Sequence, residues 1–171
     1  VRDSFVNINN QTNRGIDVTG RVRQELPDGW GDLTLLAQMS WQLEDTLSLF
    51  GGVEQDENGE EGEPEWVGNF TLEWASGEWS ALWGVDAVQH TSDVEDYVAR
   101  AGSICPNSFI FGNPAPACRD FVAESVVTHS LSLTREFDNW SMTAGVANIF
   151  DQAPPQVSRN SSAVMTHIGT A

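Results

Sequence analysis

Lysine is absent from this sequence, and basic residues of any kind are few. The 171 residues contain 8 arginines against 25 acidic residues, which gives a formal net charge of -17. Proteins that bind nucleic acid need a basic patch for the phosphates, so this balance argues against that function. No apolar run is long enough for a membrane-spanning helix. The opening VRDSFVNINN lacks the charged and then apolar layout of a signal peptide, so a signal for export would lie outside this sequence.

Cysteine is scarce as well, with Cys105 and Cys118 as the two examples. The stretch between them is rich in Pro, Asn and Gly, which is typical of a loop. Two cysteines that bracket a loop indicate a disulfide and an oxidising compartment. Free buried thiols or weak metal ligands are the alternatives, but no histidine cluster accompanies the pair. We therefore predict a disulfide between Cys105 and Cys118.

What the sequence does contain is alternation of apolar and polar residues. Six segments follow this period of two: 15–26, 31–45, 65–77, 78–90, 126–137 and 140–150. Such alternation predicts strands with one apolar and one polar face, and no segment has a helical stripe of comparable quality. The apolar positions that we expect to face lipid are Ile16, Val18, Val22, Leu33, Leu35, Trp83, Val85, Leu131 and Leu133. The charged positions on the other face are Asp17, Arg21, Arg23, Glu73, Asp86 and Glu136.

The connections between these segments alternate in length. Tight turns at 27–30, 76–78 and 138–139 alternate with long polar stretches at 45–65, at 91–125 and after Phe150. Transmembrane β-barrels have short turns at one rim and long loops at the other, and their strands need about 9–11 residues. Several of the 7 tryptophans lie near the segment ends, as expected of the aromatic belts of a barrel. A soluble β-sandwich also alternates, but it buries its aromatic side chains in mid-strand.

Two phrases resemble TonB-dependent outer-membrane receptors. GVANIFDQAPP fits a phrase that this family has near its C-terminus, G-[IV]-x-N-[IL]-F-D-x-x-P-P, and VNINNQTNRGIDVTGRVRQEL resembles a descending strand of the same barrel. The matched positions of the first phrase are Gly145, Val146, Asn148, Ile149, Phe150, Asp151, Pro154 and Pro155. Those of the second, weaker phrase are Asn7, Gly15, Ile16 and Asp17. With the strands between them, the resemblance covers essentially the whole chain.

The resemblance implies an all-β fold of antiparallel up-and-down strands that form the late part of a transmembrane β-barrel of about 22 strands. Residues 1–171 are then a fragment of the C-terminal barrel domain, and the plug domain and the final strand are not in this sequence. The strand at 140–150 runs outward, and we expect it to stop where Asp151 and the prolines cannot continue a ladder. The polar face lines the lumen, where its charged residues contact the plug or water.

The function that the resemblance implies is TonB-dependent uptake of a scarce nutrient across the outer membrane of a Gram-negative bacterium. The substrate classes are siderophore-iron, cobalamin or carbohydrate. The partners are outer-membrane lipid, the remainder of the barrel and the plug, and the TonB energy complex, which acts through the plug. A secreted, tryptophan-rich β-sandwich that binds glycans is the alternative.

No enzymatic constellation supports a catalytic function. The three histidines, His90, His129 and His167, are scattered, and no nucleophile elbow is present. The acidic loop EQDENGEEGEPE begins like a calcium loop at Asp56, but Glu61 stands where the EF-hand requires glycine. We therefore expect no catalytic residue, no cofactor and no metal ligand.

Overall fold

The main sheet of this protein is an antiparallel meander of long strands. The computed structural model describes residues 9–49, 51–95, 98, 102–103, 107–110, 113–116, 121–158 and 164–166. The strands are β1 (Asn9–Glu25), β2 (Asp32–Leu49), β3 (Gln55–Asp56), β4 (Trp66–Ser76), β5 (Trp79–Val88), β6 (Thr91–Ser92), β7 (Asn107–Ile110), β8 (Asn113–Pro116), β9 (Val122–Ala123), β10 (Val126–Glu136), β11 (Ser141–Val146), β12 (Gln156–Ser158) and β13 (Val164–Thr166). The sheet runs in the order β1-β2-β4-β5-β10-β11, and β3 pairs with β2. This arrangement confirms the predicted all-β, antiparallel, up-and-down fold.

The short connections all lie at one end of the sheet. Pro27–Gly29 forms a 3-10 turn between β1 and β2, in which Asp28 has a φ of 59° and Gly29 a φ of 73°. The indole N–H of Trp74 donates to the carbonyl of Trp30 over 2.8 Å, which ties this turn to β4. Gly31 has a φ of 92°, and an added Cβ would lie 2.0 Å from the Ala75 carbonyl oxygen, so only glycine fits there.

Strand register places apolar side chains opposite apolar side chains. Val22 pairs with Leu35, Leu35 with Leu72, and the row continues through Trp83, Leu131 and Val146. Because successive side chains point to opposite faces, this register gives the whole sheet one apolar and one polar face. The predicted lipid-facing residues all lie on the same face.

The register between β1 and β2 shifts at one point, between Arg14 and Gly15. Gly15 pairs with Gln42 whereas Arg14 pairs with Glu44, so the β2 side carries one extra residue. An added Cβ on Gly15 would lie 2.8 Å from a backbone oxygen, which explains the glycine. The shift also inverts the faces of β2 beyond it. Glu44, which the alternation assigns to the polar face, therefore lies on the apolar side, opposite Arg14.

The apolar face has no covering layer within the part of the chain that the structure describes. Val18, Val22 and Val146 are 58%, 60% and 61% exposed, and Leu131 is 50% exposed. A β-sandwich would cover these side chains with a second sheet, so the arrangement does not favour the sandwich alternative. None of the helices in the described ranges has the length and apolar character needed to cross a membrane.

The long connections contain short hairpins that the sequence did not predict. β7 pairs with β8, β6 with β9, and β12 with β13. The first two interrupt the stretch predicted as a loop between 91 and 125, and the third lies after Phe150. Cys105 and Cys118 lie outside the described residues, as do Asn7 and His167, and no disulfide is present within the described ranges. The disulfide therefore stays a prediction.

Candidate functional site

The predicted lumen-facing residues share one face of the sheet. Arg23 pairs with Thr34, Thr34 with Glu73, and Glu73 with Leu82, so the β1 and β4 charges lie in one row. Asp17 and Arg21 lie on the same side of β1 as Arg23, because alternate residues share a face. Register places Asp86 of β5 and Glu136 of β10 on that face as well.

Neighbouring strands supply hydrogen-bond partners for the charged residues of this face. The Ser40 hydroxyl donates to Asp17 over 2.6 Å, and the Asn69 amide donates to Asp86 over 2.6 Å. The Arg23 guanidinium donates to Asp32 over 2.8 Å. The sequence analysis did not identify these partners, since alternation assigns a face to each residue and leaves the pairing of strands unknown.

Asp45 is the most deeply buried charged residue among those described, at 1% exposed. It lies just beyond the bulge, where it accepts hydrogen bonds from the side chains of Gln11 over 3.0 Å and Gln42 over 2.8 Å. The backbone N–H of Glu57 donates to the Asp45 carbonyl over 2.8 Å, which anchors the following loop to β2. The alternation alone does not identify this residue, because the bulge moves it to the polar side.

An acidic depression of about 540 Å³ opens at the long-loop end of the sheet. Its lining includes the carboxylates of Glu54, Asp56, Glu60, Glu65 and Glu95, together with His90, and no arginine of the described residues lies among them. Across the ranges described, no three His, Cys, Asp or Glu side chains are placed to hold a metal ion. The depression therefore suits a ligand that is uncharged or cationic and that offers hydrogen-bond donors.

The loop beside the depression has an unusual carboxyl group. Burial, followed by the negative charges of Asp45 and Glu63, raises the pKa of Glu57 above its ordinary value. The buried oxygens Asn58 Oδ1 and Gln89 Oε1 have no hydrogen-bond partner among the described residues. Both oxygens are hydrogen-bond acceptors, and both are enclosed within the rim rather than exposed in the depression.

The phrase GVANIFDQAPP forms the stop of β11. The strand ends at Val146, so the prediction that it continues to Phe150 was wrong. Asn148 adopts a left-handed φ of 49°, which a strand cannot continue, and Asp151 has a φ of 50°. The Asn148 side chain accepts from the Gln152 N–H over 2.9 Å and donates to its carbonyl over 3.0 Å. The stop is therefore made by the turn that Asn148 closes, and the strand ends four residues before Phe150, its predicted end.

His129 lies next to this stop, on the apolar face. Its ring stacks on Trp83 with centres 5.8 Å apart and meets the edge of Phe150 at 5.0 Å. The Ile149 N–H donates to the His129 carbonyl over 2.9 Å, which holds the turn against β10. His129 is therefore part of an aromatic cluster on the apolar face, beside the turn that ends β11.

A family model described as TonB dependent receptor-like, beta-barrel, matches residues 2–149. The chain belongs to this family of TonB-dependent receptor β-barrels. Family membership implies a location in the outer membrane of a Gram-negative bacterium and a general function in nutrient uptake. Neither the curated proteins nor the solved structures include a match to this chain.

Membership of the receptor family indicates the environment of each face of the sheet. The walls of such barrels turn their apolar band to lipid and their polar face to the lumen, with short turns in the periplasm and long loops outside. Trp30, Trp79 and Trp140, at 68%, 39% and 57% exposed, lie at the short-turn end, and Trp41, at 48% exposed, lies towards the other end. These positions fit the two aromatic girdles of a TonB-dependent receptor.

Proposed function

We propose that this chain supplies wall strands and outer loops of a receptor that takes up a scarce nutrient through energy from TonB, and that it performs no catalysis. The observation that carries the proposal is the two-faced meander, with an uncovered apolar face, a hydrogen-bonded polar face and loops of unequal length at its ends. The plug and the inner-membrane energy complex are the proposed partners, and the charged residues of the polar face contact the plug or water.

The substrate is siderophore-iron, cobalamin or carbohydrate in this proposal, and the outer rim favours some of these over others. The described lining of the depression beside Glu65 is acidic, and its carboxylates repel an anionic ferric chelate. Cobalamin and neutral carbohydrates carry hydroxyl or amide groups that can donate hydrogen bonds to the carboxylates of this lining. The rim therefore supports carbohydrate or cobalamin more strongly than an anionic siderophore.

Uptake in the native bacterium tests this function. Cells that lack the receptor should lose uptake of one labelled compound from a panel of neutral oligosaccharides, cobalamin and ferric siderophores, and the intact gene should restore it. Loss of TonB should have the same effect as loss of the receptor. Glycan binding by a protein found in the medium, with uptake unchanged for every compound, would contradict the transport function.

The role of the rim is tested separately from transport itself. Glu65→Gln and Glu60→Gln remove charge from the depression, whereas Asp138→Asn removes the same charge at the opposite end of the wall. The rim variants should change the concentration for half-maximal uptake, while the Asp138 variant should leave it unchanged. Equal effects at both ends would show that the depression does not contact substrate.

A further inference from the structure

Arg135 is enclosed by aromatic rings at the short-turn end of the wall. Its guanidinium carbon lies 5.0 Å from the centre of the Trp79 ring and 4.7 Å from that of Phe137. Phe137 in turn stacks on Trp140, with ring centres 4.0 Å apart and an angle of 10° between the rings. This stack fixes the plane of a guanidinium group in a position where cation–π attraction stabilises its charge.

Register places Arg135 on the apolar face. It pairs with Trp79 of β5 and Met142 of β11, and it shares its side of β10 with Leu131 and Leu133. Arg135 is therefore flanked by a described strand on each side. A positive charge therefore lies on the face that is turned to lipid, at the level of the inner aromatic girdle.

The hydrogen-bonding capacity of this guanidinium is largely unused. Its Nε atom is buried and has no hydrogen-bond partner in the described part of the chain. Its ion pair with Glu78 is 3.5 Å long, which exceeds the length of a charge-assisted hydrogen bond. The two side chains are 43% and 65% exposed, so both can reach a group outside the protein.

We propose that Arg135 and Glu78 bind the headgroup of a phosphoethanolamine phospholipid in the inner leaflet of the outer membrane. The phosphate accepts hydrogen bonds from the Arg135 guanidinium, whose planar fork matches phosphate oxygens. The ammonium group at the end of the short ethanolamine arm donates to the Glu78 carboxylate. The acyl chains lie along the exposed apolar side chains above, beginning with Met142 and Leu133, which are 58% and 44% exposed.

Charge complementarity selects this headgroup over others. A pair of opposite charges at the membrane surface matches a zwitterion, in which phosphate and ammonium are separated by a short arm. A choline headgroup has no N–H to donate to Glu78, and an anionic headgroup without an ammonium leaves Glu78 without a partner. The site rests on the membrane face of the wall and is independent of which nutrient the receptor transports.

Native mass spectrometry of the whole receptor, purified in mild detergent, measures this binding. The probes are phosphatidylethanolamine, phosphatidylcholine and phosphatidylglycerol, each added in a concentration series. Arg135→Gln should weaken retention of phosphatidylethanolamine about tenfold. The matched control is Arg23→Gln, which removes the same charge at a similar height on the polar face and should leave retention unchanged. Equal retention by the two variants would overturn the site.

A second variant tests the ammonium half of the site without touching the aromatic stack. Glu78→Gln should reduce the preference for phosphatidylethanolamine over phosphatidylcholine to near parity, and Glu78 is exposed enough for this variant to fold. A preference that survives in Glu78→Gln would overturn the assignment of the ammonium. Displacement of the lipid by millimolar inorganic phosphate would show that the ligand is free phosphate, and the lipid proposal would then fail.

Discussion

A charge placed on Leu131 should destabilise the receptor far more than the same charge on its neighbour Ser132. Five residues separate Leu131 from Glu136 at the short-turn end. A strand that rises about 3.3 Å per residue at a tilt of about 40° climbs roughly 13 Å over that length. The apolar band of an outer-membrane barrel is about 25 Å tall, so Leu131 lies near its middle. Its side chain is 50% exposed on the apolar face of the sheet, the face that such barrels turn to lipid.

At this depth an arginine on the lipid side costs about 2–4 kcal/mol, which lowers the folding equilibrium constant about 30- to 700-fold. Ser132→Arg points into the lumen, over Gly145, where water and polar groups solvate the charge, and should cost less than about 1 kcal/mol. Guanidinium unfolding of the whole receptor in lipid vesicles, followed by tryptophan fluorescence, measures both. Val85→Arg, on the next strand, should behave like Leu131→Arg. Equal losses at Leu131 and Ser132 would refute the assignment of faces.

The remaining predictions concern the edges, the loops and the strand stop. The isolated 171 residues, in buffer without detergent, should show no cooperative thermal transition, because β1 and β11 are edge strands of the sheet that the structure describes; a sharp transition would contradict the membrane assignment. The raised pKa of Glu57 means that its contribution to loop stability is full below the ordinary glutamate pKa and is lost as pH rises through the raised pKa, so protection of 54–63 against hydrogen exchange, corrected for intrinsic rates, should fall as pH rises above about 4 and stay flat in Glu57→Gln. Peptide mapping without reductant should recover Cys105 joined to Cys118, and separate alkylatable thiols would refute the bridge. Asn148→Ala should destabilise the strand stop by about 1–2 kcal/mol, and Asn148→Gly, which keeps the left-handed backbone but loses both side-chain hydrogen bonds, should cost less; hydrogen exchange at the end of β11 distinguishes them.

The main sheet could be predicted because its signals are local. Alternation over ten or more residues identifies a strand and its two faces, and Gly, Pro and Asp mark the turns between strands. The register places Asp17 and Glu73 on one face of the sheet, as the alternation predicts, and their exposure to a lumen stays a prediction. The hydrogen-bond partners, such as Ser40 for Asp17 and Asp32 for Arg23, depend on strand register, which no single segment contains.

The features that escaped prediction depend on how two strands meet. The bulge at Gly15 adds one residue to β2, which can be recognised only when β1 and β2 are paired. The alternation therefore assigned Glu44 to the wrong face and gave no indication that Asp45 is buried. The end of β11 was misplaced for a different reason. In the sequence, the prolines mark a strand end and Asn148 does not. In the structure, the left-handed turn at Asn148 ends the strand before the prolines are reached.

The bulge between Arg14 and Gly15 also marks the height at which the apolar surface of the β1–β2 hairpin ends. Gly15 lies ten residues above Glu25, which at about 2.5 Å of height per residue is roughly 25 Å, the full height of the apolar band. Below this line the outer side of the hairpin carries Ile16 and Val18, and above it the ion pair of Arg14 with Glu44 takes their place. The remaining six residues of β1 therefore stand clear of the bilayer as a projecting ribbon. Charged side chains carry no lipid-exposure cost in that ribbon, unlike in the wall. It is therefore the part of this hairpin where natural variation, or an engineered epitope, can replace side chains without disturbing the membrane-embedded part.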